Sequence, residues 1–84
     1  MRMEWMRAGD DAPGAWACFE VYDDRVRVLA VLSTGLIDRD MTPEDARWLW
    51  ADLKRQGWHQ ATDAELNHHQ MSHRALRRMA YGRR

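Results

Sequence analysis

An α+β fold is predicted: a small three-stranded antiparallel meander packed on one helix and followed by a second, basic C-terminal helix. Three observations predict it. Residues 15–22 and 25–33 are rich in Val, Leu and aromatic residues and are separated by Asp23-Asp24, the signature of a β-hairpin. Thr42-Pro43-Glu44-Asp45 opens an amphipathic run, the signature of a helix start. Thr62-Asp63-Ala64-Glu65 opens another as a capping box.

Taken in order, residues 1–8 alternate Met1, Met3 and Trp5 against Arg2 and Glu4, as a short edge strand would. Residues 9–14 read as a loop. A two-residue turn at Asp23-Asp24 sets the hairpin register, pairing Val21 with Val26, Glu20 with Arg27 and Phe19 with Val28. Side chains alternate along a strand, so Ala17, Phe19, Val21, Val26, Val28 and Ala30 share one wholly apolar face. The opposite face carries Tyr22, Arg25, Glu20 and Arg27 near the turn, and Trp16, Cys18, Leu29 and Val31 at the far end. Glu20 opposite Arg27 is a complementary cross-strand pair. Ser33-Thr34-Gly35 makes a second turn, and Leu36-Ile37 begins a third strand, closing the meander over 15–39.

The first helix spans 43–56 and ends at Gly57. Ala46, Leu49, Trp50 and Leu53 form its apolar stripe, with Trp58 folding back on it. The second helix spans 63–81. Asn67, Gln70, Arg74, Arg77, Arg78 and Tyr81 cover one side, Arg83 and Arg84 extend it, and Leu66, Leu76 and Ala80 lie on a neighbouring apolar side. No repeat or long linker divides the chain, so 1–84 is a single domain.

The 84 residues hold 13 basic and 13 acidic side chains. A net charge of zero excludes a protein held on a polyanion by its overall field. The balance is nevertheless uneven, −3 over residues 1–62 and +3 over 63–84 with His neutral. All the basic residues but Lys54 are arginine, the side chain suited to bidentate contact with carboxylate or phosphate. A single cysteine, Cys18, permits no internal disulfide, and no apolar stretch is long enough to span a membrane. Without a signal-peptide apolar run at the N-terminus, the expected location is cytoplasmic.

Four features bear on function. The arginines of the second helix, Arg74, Arg77 and Arg78, with Tyr81, face an acidic partner surface or phosphates, or else make a solvated helix face. Trp48 lies about 160° from its helix's apolar stripe; it is either covered by the N-terminal segment or second helix, or exposed as a partner anchor of the kind enriched at interfaces. His69 and His73, four apart, can face one ion, but they lack a third ligand and the metalloprotease Glu. Hydrogen-bonded, half-buried histidines are the expectation, with no metal. Cys18 reads as a small buried hydrophobe rather than a nucleophile.

The sequence therefore points to a non-catalytic protein-interaction module without cofactor, a regulator or accessory factor. Its partner is a larger protein or a second copy, met through Trp48, Arg25, Arg27 and the Arg74–Tyr81 face; the apolar hairpin end at Trp16, Leu29 and Val31 adds surface. The alternative is a nucleic-acid-binding protein using the arginines on phosphates.

Overall fold

In the computed structural model, which describes residues 1–9 and 15–82, the chain forms one antiparallel sheet with helices on both faces. In chain order the elements are β1 (Arg2–Arg7), β2 (Trp16–Val21), β3 (Val26–Leu32), β4 (Gly35–Met41), α1 (Pro43–Arg55), β5 (His59–Gln60), α2 (Asp63–His68) and α3 (His73–Tyr81). The strand order is β4-β3-β2-β1-β5. The expected meander is thus the greater part of a larger sheet. β1 is an interior strand, paired with β2 along its whole length and with β5 at Met6 and Arg7. The expected loop lies mostly outside the described residues, as do Arg83 and Arg84.

The hairpin has the predicted register, with Val21 opposite Val26, Glu20 opposite Arg27 and Phe19 opposite Val28. Its apolar face meets α1. Ala17, Phe19, Val26, Val28 and Ala30 pack with Ala46, Leu53 and Trp58 in one core. Phe19 stands edge-on to Trp50, with ring centroids 5.1 Å apart, a favourable aromatic geometry.

The other face is buried as well. Trp5, Trp16, Cys18 and Leu29 form a second core with Leu76, flanked by Leu66, Met71 and Ala80. This corrects one expectation: Trp16 and Leu29 are 4% and 2% exposed and offer nothing to a partner. Alternation along the strands placed them on the outer face, but α3 covers that face.

The segment 63–81 is two helices, not one. α2 and α1 end in the same way. Past α1, Trp58 N–H donates to the Leu53 carbonyl and Gly57 N–H to that of Lys54. Past α2, Met71 N–H donates to Leu66 and Gln70 N–H to Asn67. Both are Schellman motifs, in which a left-handed residue turns the chain out of the helix and a later apolar side chain folds back on the last turn. Gly57 (φ 97°) fills the left-handed position in the first and Gln70 (φ 53°) in the second. Ser72 then caps α3, its hydroxyl accepting from Ala75 N–H. The break lets Leu66, Met71 and Leu76 all reach one core.

Candidate functional site

Four of the seven residues singled out from the sequence meet at one place. Arg25 and Arg27 from the hairpin, and Arg77 and Tyr81 from α3, gather around a polar cleft of about 280 Å³ floored by Leu29. The sheet places Arg27 beside Asp40, with Asp38 two residues along. Arg27 Nη2 donates to Asp38 Oδ1 at 2.8 Å, while its contact with Asp40 is looser, 3.8 Å. Tyr81 donates its hydroxyl proton to the other oxygen of Asp38. Arg77 lies over the Tyr81 ring at 5.6 Å and Arg25 over Tyr22 at 4.3 Å.

The electrostatics follow from these bonds. The Tyr81 hydroxyl and then the Arg27 guanidinium hold the Asp38 carboxyl below the usual carboxylate value. Donating to Asp38 raises the Tyr81 phenol, and donating to Glu20 raises that of Tyr22. Glu20 is thus engaged away from its cross-strand neighbour: it accepts from Tyr22 and meets His73 Nε2 at 2.7 Å. The expected Glu20–Arg27 alignment exists in register, but the closest ion pair of Arg27 is with Asp38 across the next strand. The cleft therefore sets Arg25, Arg27 and Arg77 against Glu20, Asp38 and Asp40. An incoming polyanion must compete with carboxylates already in place.

Arg74 and Arg78 face outward on α3 and make no ion pair among the described residues. Trp48 lies on the opposite side of the molecule, on the crest of α1, 65% exposed between Glu44 and Arg47. Beside it runs a cleft of about 360 Å³ whose floor includes Phe19, Val21, Val26 and Trp50, with Arg2 and Arg47 among its lining residues. No local pattern announces this cleft, because it forms where α1 leaves the β1–β2 end of the sheet uncovered.

A further polar cluster was also missed. Arg7 is 8% exposed on β1. Its guanidinium lies 3.3 Å from Glu65 Oε2, 3.1 Å from His69 Nε2 and 5.1 Å from the centre of the Trp16 ring. The same Glu65 oxygen meets His59 Nε2 at 2.8 Å, while its partner oxygen accepts from Thr62 N–H at 3.1 Å. The capping box was readable, but its link to β1 depends on β5 bringing His59 beside Arg7. His69 and His73 serve different partners, Arg7 and Glu20, because the helix breaks between them. Among the described residues no group of three or more His, Cys, Asp or Glu is placed to hold a metal ion. Cys18 is fully buried, and burial, reinforced by Glu20, pushes its thiol up to about 12.

Glu65 gives a pH prediction. His59, the Thr62 amide and Arg7 together lower its carboxyl from 4.5 to about 2. A carboxyl held lower in the folded than in the unfolded chain contributes stability that is complete above the unfolded value and lost as pH falls through the folded one. Urea midpoints should therefore decline between about pH 4.5 and 2. Glu65→Gln should remove part of that decline, and a carbon-detected NMR titration should place the Glu65 carboxyl near 2. A Glu65 titration at the ordinary value would contradict the cluster.

The chain matches no known protein family, no curated protein and no solved structure. Among the described residues no helix is long and apolar enough to cross a membrane.

Proposed function

We propose that this chain is a non-catalytic protein-binding module, a regulator or accessory factor anchored on its partner by Trp48. One observation carries the reading: an indole 65% exposed on the crest of a well-capped helix. Leaving so large an apolar group in water forgoes roughly 1.5–3 kcal/mol of burial, a loss that covering by a partner recovers. Arg47 beside it supplies the second residue type enriched at interface hot spots. The partner is a larger protein or a second copy of the chain.

The nucleic-acid reading keeps Arg74 and Arg78 but has weaker support from Arg25 and Arg27, which already face Asp24, Asp38 and Asp40. It predicts an affinity that falls steeply with salt.

Trp48→Ala tests the leading reading. A surface substitution of this kind should alter stability by no more than about 0.5 kcal/mol. The loss of a hot spot should weaken binding by at least about thirtyfold. The measurements are sedimentation equilibrium for self-association and quantitative affinity capture for other partners, each comparing wild type with Trp48→Ala. Equal self-association and equal capture by the two proteins would sink the anchor.

A further inference from the structure

The sheet ends differently on its two sides. At one end β5 is only two residues long. At the other, β4 presents seven residues, and among the described residues no strand pairs with its outer side. An edge strand directs alternate N–H and C=O groups outward, where a further strand can use them. Here the edge also forms one wall of a groove of about 720 Å³, whose other wall is α1 at Asp45 and Leu49. An open strand facing a helix across a partly apolar groove is the arrangement in which extended peptides bind by strand addition.

The side chains on β4 specify the occupant. Ile37, Arg39 and Met41 point to the α1 side, in register with Ala30, Val28 and Val26. Leu36, Asp38 and Asp40 point to the α3 side. A second copy would have to add antiparallel about a two-fold axis perpendicular to the sheet, which keeps faces together and pairs residues of like parity. Centred on Arg39, that register opposes Arg39 to its own mate and Asp38 to Asp40. Centred on either aspartate, it opposes that aspartate to itself. Like charges directly opposite one another are destabilising, so the Asp38-Arg39-Asp40 triplet disfavours self-pairing in every register centred on one of its own residues. A register centred on Ile37 avoids that repulsion only by setting Asp38 against Leu36 and leaving Asp40 beyond the paired strand.

The same triplet favours a complementary strand. We infer that β4 is a docking edge for an extended segment of another protein that runs apolar–basic–acidic–basic–apolar opposite Met41, Asp40, Arg39, Asp38 and Ile37. The two apolar residues enter the groove beside Ile37, Met41 and Leu49. Asp40 is the more available carboxylate: its side chain is 54% exposed and its contacts with Arg25 and Arg27 are 3.9 and 3.8 Å. Asp38 is already held by Arg27 and Tyr81 and adds to the field more than to direct contact. Arg39 makes no ion pair among the described residues, and Asp45 faces it with the opposite sign across the groove. Discrimination therefore falls mainly on the two basic positions. The inference does not rest on Trp48, and Trp48→Ala should leave this binding unchanged.

The test uses the full chain and a fluorescein-labelled nonapeptide with Val-Lys-Glu-Lys-Val at its centre. Its control carries Val-Glu-Lys-Glu-Val. Fluorescence anisotropy should show the first binding at least about tenfold more tightly, since reversal turns attractive cross-strand pairs into repulsive ones. Amide shifts on titration should concentrate in residues 35–41. N-methylation at alternate peptide positions should abolish binding in one of the two phases, because strand addition uses every second amide. Asp40→Lys, at an exposed and loosely paired site, should lower the preference by at least about threefold. Equal affinity for the two peptides, or no binding of either with unshifted 35–41 amides, would overturn the inference.

Discussion

Phe19→Ala should lower the free energy of unfolding by about 3–5 kcal/mol, the usual cost of removing a buried aromatic ring. Phe19 is 2% exposed at the centre of the core between β2 and α1. Removing it also ends the edge-to-face contact with Trp50, which is worth about 0.5–1.5 kcal/mol beyond burial. A domain of this size has about 5–15 kcal/mol in total, so the loss is a large fraction. The melting temperature should fall by more than about 12 °C. Phe19→Leu, which keeps most of the volume, should cost less than about 1.5 kcal/mol. Urea unfolding followed by tryptophan fluorescence gives both values. A cost below about 1 kcal/mol for Phe19→Ala would show that α1 does not pack on β2 as described.

That core was largely legible because each of its signals is local. Alternation and a two-residue turn were enough to set the hairpin register. Thr42 and Pro43 marked the start of α1, and Gly57 marked its end because glycine enters the left-handed region without a steric penalty. The second Schellman motif was not legible for the complementary reason. Gln70 adopts the same backbone region with no glycine to announce it, and the apolar period runs on smoothly through Leu66, His69, His73 and Leu76. Only the requirement that Met71 and Leu66 reach one core distinguishes a break from a continuous helix.

The candidate surfaces divide along the same line. Helical spacing places Arg74, Arg77 and Arg78 on one side of the chain's end. The meeting of Arg77 with Arg25 and Arg27, and the pairing of Arg27 with Asp38 and Asp40, depend instead on β4 lying beside β3 and on the docking of α3. The clustering of charge by chain segment, −3 over residues 1–62 and +3 over 63–84, therefore becomes partly an internal contact where Tyr81 and Arg77 meet Asp38. Trp48 stood out because it breaks its helix's period, a signal that needs no tertiary information. Its exposure, and the burial of Trp16, were decided by where α3 docks.

Leu76→Ala tests that docking. Leu76 is completely buried and is the one buried side chain of α3. Its truncation should cost about 3 kcal/mol, and the cost should fall unevenly. A nine-residue helix is not stable alone in water. With Leu76 gone, α3 is left with peripheral apolar contacts, the His73–Glu20 contact and the Tyr81–Asp38 hydrogen bond. Amide exchange across 73–81 should therefore accelerate far more than exchange across β2 and β3, as expected of a unit that opens by itself. The cleft supplies an independent readout. Once Tyr81 withdraws its hydroxyl, the first cause holding the Asp38 carboxyl low disappears, so Asp38 should titrate at higher pH in Leu76→Ala than in wild type. Tyr81→Phe should raise it in the same direction while leaving α3 exchange nearly unchanged. If exchange in α3 and in the central strands instead accelerates together, the two faces of the sheet are a single cooperative unit, and the charged cleft cannot open without global unfolding.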